Sequence, residues 1–591
     1  MNRINRILSW AGAMMCVACL TFAQGAPQSN RRSQKPAKRP MMGMEDVNQV
    51  KDLTLDSLNI AQSARPVPGS SRKGNNPVLF LVGNSTMRTG TLGNGNNGQW
   101  GWGFFAHQWF DENRITVENH ALGGTSSRTF YNRLWPAVLE GVKEGDWVII
   151  ELGHNDNGPY DRGRARASIP GIDPDTVLYV TIQETGVADT VYSYGEYMRK
   201  FIRDVRSKGA HPVLASLTPR NSWDNDSTIT RKWTTFTPWG KAVAEEMNCP
   251  WIDLEGESAR RLEKFGPWKT SYMFMHDKIH TSAFGAQNNA YSAALAIQNC
   301  PNLELKNYLK DLTPPTVNVK RKDGKPVVFL CGDSTGKNLD RSDDGMWGWG
   351  SQMALVFDTT KCTPVNWAKA GRSTRTFLKE GRWDQVYNSI QPGDIVLLQF
   401  GHNDMGAIDT QRERAVIAST KDTVHVYRLA SNRTYEAVYS FGWYFKKFIG
   451  DVREKGGIPV LLSLTPRNRW TDGKIERRND SYGKWYREVV EETGCAFVDV
   501  HNISADYLDK LGKEEAKIYY NHDHTHTSKL GAQLNARSAA AGLREAGFKN
   551  ILLKQKVVDK EMKKTRKMLK KIVAENDKSA YGNDVTTPAE R

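Results

Sequence analysis

The chain has 591 residues, too long for one ordinary domain, and its length points to between two and four. An apolar fraction of 39% and a charged fraction of 25% describe a chain that buries real cores, which excludes a disordered or fibrous protein. Seven cysteines are too few for a scaffold built on disulfides, and the net charge of +16 raises nucleic acid as a partner until its location is traced.

In chain order, residues 1–23 read as a signal peptide. Arg3 and Arg6 precede a short apolar run from Ile7 to Phe22, and Thr21-Phe22-Ala23 offers small residues before a cut at Gln24. The run is short for a membrane span, no later segment is long and apolar enough to cross a bilayer, and the expected location is periplasmic or secreted. Residues 24–75 are rich in Lys, Arg, Gln, Ser and Pro and read as a flexible basic linker. The leader carries +2, this linker +5 and residues 551–591 another +5, which leaves only +4 for everything between. The basic excess therefore sits in solvated flanks, and nucleic acid is not expected as a partner.

From residue 76 a repeat begins. Pro77-Val-Leu-Phe-Leu-Val-Gly83 returns as Pro326-Val-Val-Phe-Leu-Cys-Gly332, and Trp100-Gly-Trp-Gly103 returns as Trp347-Gly-Trp-Gly350. Gly153-His-Asn-Asp156 returns as Gly401-His-Asn-Asp404, and Ser216-Leu-Thr-Pro-Arg-Asn221 as Ser463-Leu-Thr-Pro-Arg-Asn468. The offset stays between 247 and 249 residues, so a whole domain is duplicated. The division is 76–300 for the first domain, 301–324 for a linker and 325–550 for the second domain. A basic helix and a disordered tail follow over 551–591. In the first copy, strands are expected near 77–83, 114–119, 146–152, 211–217 and 250–254, with amphipathic stretches such as Tyr197 to Ser207 between them. Continuous apolar strands alternating with helices predict a parallel sheet covered on both faces, an α/β fold in three layers. Cys249 and Cys495 occupy equivalent places before an apolar strand and read as small buried hydrophobes.

Four blocks in each copy carry chemistry. Ser85 and Ser334 follow the first strand in Gly83-Asn-Ser-Thr86 and Gly332-Asp-Ser-Thr335, at the sheet edge where open α/β folds bind ligands. Gly124 and Gly371 lie after the second strand, where a glycine lets backbone N–H approach a ligand. Asn155 and Asn403 end the third strand and offer an amide donor. Asp277 stands three residues before His280, and Asp523 three before His526, so each carboxylate can reach its imidazole. His522, Asp523, His524 and His526 could suggest a metal, but the first copy lacks two of these histidines, and neither metal nor cofactor is expected.

The order Ser, Gly, Asn and Asp-x-x-His, present twice, resembles the SGNH (GDSL) hydrolase superfamily. The blocks Gly-Asp-Ser-Thr, Trp-Gly-Trp-Gly, Gly-His-Asn-Asp and Asp-x-x-His-Thr are similar to those of rhamnogalacturonan acetylesterases, carbohydrate esterase family twelve. The resemblance implies flavodoxin-like domains with five-stranded sheets. It implies Ser85 and Ser334 as nucleophiles, and His280 and His526 as bases oriented by Asp277 and Asp523. Backbone N–H of Gly124 and Gly371 and the amides of Asn155 and Asn403 would complete the oxyanion holes. Trp102, Arg128, His154, Trp349, Arg375 and His402 are expected to touch substrate. The implied partner is an acetylated plant-wall polysaccharide, and no protein partner is implied. Asn84 departs from the family's Asp, which puts the geometry of the first serine loop in question. Two rivals stand: an esterase or lipase of another substrate class, and a first copy that only binds carbohydrate. The long segments 157–193 and 405–439 are expected to wall the sites.

Overall fold

Six consecutive residues, Val78–Gly83, are buried, with no polar alternation, as are their counterparts Val327–Gly332. A strand of this kind needs cover on both faces. In the computed structural model Val78, Phe80 and Val82 enter one core with Trp135 and Phe201, while Leu79 and Leu81 enter another with Trp102 and Ala290. The second domain divides in the same way: Phe329 packs with Phe445, and Leu330 with Leu534. Each sheet is thus the middle of three layers. The structure describes residues 65–575 apart from 91–94, 96–97, 232–235, 275–276, 338–344, 433–434 and 522. The signal peptide, most of the N-terminal linker and the tail beyond 575 lie outside the described residues.

The first domain runs β1 (Val78–Gly83), β2 (Thr116–Asn119), β3 (Trp147–Glu151), the hairpin β4 (Val177–Thr181) and β5 (Ala188–Tyr192), then β6 (His211–Ala215) and β7 (Trp251–Ile252). The second runs β8 (Val327–Gly332), β9 (Thr363–Asn366), β10 (Ile395–Gln399), the hairpin β11 (Val424–Arg428) and β12 (Tyr435–Tyr439), then β13 (Ile458–Leu462) and β14 (Ala496–Val498). The sheets are ordered β2-β1-β3-β6-β7 and β9-β8-β10-β13-β14, with every pairing parallel. The chain moves from β1 outward to β2, then crosses to β3 on the other side. That reversal opens a crevice beyond the C-terminal ends of β1 and β3, and of β8 and β10.

The helices used below are α1 (Ser127–Arg133), α2 (Tyr194–Ser207), α3 (Leu254–Ser271), α4 (Ala283–Asn299), α5 (Thr374–Lys379), α6 (Phe441–Glu454), α7 (Lys529–Glu545) and α8 (Lys556–Glu575). The basic C-terminal helix α8 buries Val558 and Met562 and pairs Asp559 with Arg537 of α7 at 2.8 Å.

One linker expectation is corrected at its described end. Residues 69–72 are tied down: Gly69 N and Ser71 N donate to Glu118, and Arg72 bonds Asp146 through two nitrogens. The stretch 301–324 is tied down likewise. Phe110 bridges to Leu309 at the end of the first domain, and Arg321 repeats the Arg72 clamp on Asp394 at 2.7 Å. Both clamps bind an aspartate that is nearly inaccessible to solvent, so releasing the segment would strand a buried charge.

The domains also meet face to face. Phe284 of α4 stacks on Trp443 of α6 at 5.5 Å, and Tyr272 donates to Asp422 at 3.1 Å. Lys269 of α3 reaches Asp451 at 2.9 Å and Glu454 at 2.6 Å.

Candidate active site

The turn after β1 is built by one side chain. Asn84 Oδ1 accepts from Thr86 N at 3.1 Å, and Asn84 O accepts from Met87 N and Arg88 N. Asp333 does the same for Thr335 N at 2.9 Å, with Asp333 O accepting from Gly336 N and Lys337 N. The two serine loops therefore share one hydrogen-bond pattern, and Asn84 does not change it. Each turn lifts its serine into the crevice.

The histidine loops precede α4 and α7. Asp277 Oδ1 accepts from Ile279 N and His280 N, which curls the chain so that Oδ2 meets His280 Nδ1 at 2.7 Å. His280 Nε2 then lies 2.9 Å from Ser85 Oγ. The second copy matches it, with Asp523 Oδ2 to His526 Nδ1 at 2.6 Å and His526 Nε2 to Ser334 Oγ at 2.9 Å. Burial opposes ionisation of Asp277, but the bonds from His280 and Ile279 prevail and hold it down at about 2. The same balance keeps Asp523 well below the usual carboxylate range. Both are anionic at neutral pH, and each fixes the tautomer of its imidazole.

The Trp-Gly-Trp-Gly motif joins these two loops. Trp100 N donates to Thr281 O, and Thr281 Oγ1 returns a bond to Trp100 O at 2.6 Å. Trp102 N donates to Thr86 O at 3.1 Å. Trp347, Thr527, Trp349 and Thr335 repeat the pattern. A second brace comes from Asn221 N donating to Lys278 O, and Asn468 N to His524 O.

Gly124 and Gly371 adopt φ of 83° and 78°, a left-handed conformation that favours glycine. Asn155 Nδ2 gives one hydrogen to Thr125 O at 2.9 Å, and Asn403 Nδ2 one to Arg372 O at 3.1 Å. Each amide keeps a second hydrogen for a ligand. Among the described residues the backbone N–H of Ser85, Ser334, Gly124 and Gly371 has no hydrogen-bond partner. Three donors in each domain are thus left unspent by the fold.

Behind each serine lies a pair that single motifs do not reveal. The first domain has Asn84 beside Glu151, and the second has Asp333 beside Gln399. All four are buried. Trp102 Nε1 donates to Glu151 at 2.9 Å, as Trp349 Nε1 does to Gln399 at 2.6 Å. Each site therefore holds one buried carboxyl and one amide, exchanged between strands. Burial raises Glu151 to about 7 despite the bonds from Trp102, Thr218 and Thr86. Burial also raises Asp333. Aligning the two repeats column by column would have exposed this exchange.

Six expected substrate contacts are corrected. Trp102 and Trp349 are 1% and 0% exposed, with their indole N–H groups spent on Glu151 and Gln399, so they pack beneath the serine loops. Arg128 is buried on Asp189 and on the carbonyls of Tyr160 and Ala167. Arg375 is buried on Glu436 and on the carbonyls of Ile408 and Ala415. These arginines pin the hairpins β4–β5 and β11–β12 to their domains. His154 Nε2 meets Thr218 Oγ1, and His402 Nε2 meets Thr465 Oγ1, both at 3.2 Å. Burial lowers His154 to about 3 and pushes His402 well below its usual value, so both are neutral and structural.

The model of the GDSL-like Lipase/Acylhydrolase family matches residues 81–287 and again 330–534. The chain is 28% identical over 210 residues to the rhamnogalacturonan acetylesterase of Emericella nidulans, spanning 36% of this chain and 81% of that protein. It is 28% identical over 255 residues to the rhamnogalacturonan acetylesterase RhgT of Bacillus subtilis, spanning 40% of this chain and 97% of that one. Axe2, an acetylxylan esterase from Geobacillus stearothermophilus, superposes with a TM-score of 0.27 at 17% identity over 38% of this chain and 94% of its own. The chain belongs to the GDSL-like lipase/acylhydrolase family and is a carboxylic ester hydrolase with that domain in tandem.

Proposed function

We propose that the protein is exported and removes acetyl groups from an acetylated pectic polysaccharide of the rhamnogalacturonan type, with both domains working. The observation that carries the reading is the Ser–His–Asp chain, 2.9 Å and then 2.6–2.7 Å long, built alike in both domains. The named activity of the two acetylesterase relatives supports the substrate. The repeated site argues against a first copy that only binds.

The chemistry follows from charge. A neutral serine hydroxyl is a weak nucleophile, so His280 or His526 takes its proton as Oγ attacks the acetyl carbonyl. The aspartate steadies the imidazolium. The tetrahedral oxyanion takes hydrogen bonds from Ser N–H, glycine N–H and the asparagine amide, and losing one such donor costs about 10²–10³-fold in rate. The imidazolium protonates the departing sugar oxygen, which leaves an acetyl-serine. A water, deprotonated by the same histidine, then releases acetate and restores the serine.

The test is acetate release from acetylated rhamnogalacturonan, with acetylated xylan and an aryl acetate alongside. Ser85→Ala and Ser334→Ala should each remove part of the release, and the double variant should lose about 10³-fold or more. Full loss in one single variant would make the other domain a passenger. Activity retained in the double variant would sink the triad assignment. Release confined to the aryl ester would discard the polysaccharide.

A further inference from the structure

Arg164-Ala-Arg166-Ala in the first domain stands where Arg412-Glu-Arg414-Ala stands in the second. The residue between the arginines has positive φ in both, 39° at Ala165 and 47° at Glu413, a conformation that L residues seldom adopt. It is kept twice, and in each domain the two arginines are close enough to act on each other electrostatically. Arg166 Nη1 donates to Gly124 O at 3.0 Å, and Arg414 Nη1 lies 3.5 Å from Gly371 O. A Cβ built on Gly124 would stand 3.6 Å from Arg164 Nη1. Both cations of the first domain therefore lie along the glycine loop, as does Arg414 of the second.

No carboxylate among the described residues pairs directly with this charge; Asp156 acts on Arg166, and Asp333 and Asp404 on Arg414, only at longer range. Arg128 and Arg375, by contrast, are each buried on a carboxylate. Among the described residues none of the four loop arginines makes an ion pair. The carboxylates nearby are engaged elsewhere. Asp156 accepts from Ser127 and Ser168, Asp404 from Thr374, and Glu413 from Ser431 N and Oγ. Burial lowers Arg166 and Arg414, and the neighbouring Arg164 and Arg412 lower them further. An acetyl ester is neutral and asks for no such pair. A carboxylate does, and guanidinium groups bind it through paired charge-assisted bonds.

We propose that Arg164 with Arg166, and Arg412 with Arg414, form in each domain a subsite for a carboxylate of the bound glycan, so that both sites take uronate-bearing chains. The inference deepens the polysaccharide reading above and rests on it for the placement of the acetyl group. The exposed members, Arg164 and Arg412, make no bond that the fold uses, so they can be changed without removing a structural contact.

The experiment is calorimetric titration of the Ser85→Ala/Ser334→Ala protein with an unacetylated oligouronide, and with a xylo-oligosaccharide as neutral reference. The oligouronide should bind more tightly, with an affinity that falls as salt rises. Adding Arg164→Gln and Arg412→Gln should weaken oligouronide binding about tenfold or more and flatten its salt dependence. Equal affinity with and without the two arginines would overturn the subsite, as would parallel loss of both ligands or absence of oligouronide binding. Acetate release from acetylated xylan but not from the pectic polymer, with arginine-dependent oligouronide binding intact, would overturn the substrate reading alone. Pectic release with arginine-independent binding would overturn the subsite alone.

Discussion

Asn84 and Glu151 in one domain, against Asp333 and Gln399 in the other, are a single exchange of charge between two buried positions. Thr86 Oγ1 lies 3.0 Å from Asn84 Oδ1 and 3.1 Å from Glu151 Oε1, so the two side chains share a hydroxyl. Asn84→Asp alone would set two carboxyls against each other, and one would have to keep its proton. We expect that variant to lose about 2 kcal/mol or more in chemical unfolding, with lower first-domain turnover in a Ser334→Ala background. Glu151→Gln added to it reproduces the arrangement of the second domain and should recover most of both losses. Strict additivity of the single changes would refute the coupling. The pH dependence has a definite sign. Glu151, held at about 7, keeps a proton in the native state that the unfolded chain gives up near 4.5. The first domain therefore loses stability as pH rises from about 4.5 to about 7 and then levels off, by roughly 3 kcal/mol at most. Glu151→Gln should make that slope shallower in unfolding curves measured between pH 4 and 8, leaving the share of Asp156, which burial raises to about 6.

At the scale of elements, the Trp-Gly-Trp-Gly loop is the clasp between nucleophile and base. Its last glycine is fixed by space. A Cβ on Gly350 would lie 2.0 Å from Asn366 Nδ2 and 2.2 Å from Gly336 O, the two atoms that form the latch of β9 onto the serine loop at 2.6 Å. Gly350→Ala should break that latch. Second-domain turnover, read in a Ser85→Ala background, should fall about tenfold or more, with roughly 1–3 kcal/mol lost from that domain alone. An unchanged rate would mean that the loop holds its shape without the clasp. The strands around this loop were legible in the sequence because burial on both faces leaves unbroken apolar runs, as in Val78–Gly83. The hairpins β4–β5 and β11–β12 were legible only as long segments. Val177–Thr181 is half-buried or exposed throughout and lacks the clean alternation of a strand on a core.

For the whole molecule, one largely buried cation joins the two domains beside the stacked Phe284 and Trp443. Lys269 is 12% exposed and Asp451 3% exposed, and Asp451 also receives Lys447 at 2.8 Å and Trp383 Nε1 at 2.7 Å. Asp451 is held at about 2, with Lys269 and Lys447 overcoming the cost of burial. Lys269→Ala should destabilise the interface by about 2–3 kcal/mol, since part of the charge on Asp451 stays compensated. Scanning calorimetry should show the two domains unfolding further apart in temperature. A single unshifted transition would show that the stacked Phe284 and Trp443 suffice.

The sequence by itself determined the duplication, the parallel α/β sheets and the four blocks that gather around each serine. Those signals are local: apolar runs, turn residues, and an aspartate three places before a histidine. Only the tertiary structure decided which neighbours face a ligand. Arg128 meets Asp189 and Trp102 meets Glu151 across about 60 and 50 positions of chain, and those contacts bury side chains that composition would place at the surface. Arg164 and Arg166 differ in that the fold brings no carboxylate into direct ion-pair contact with them, Asp156 acting on Arg166 only at longer range.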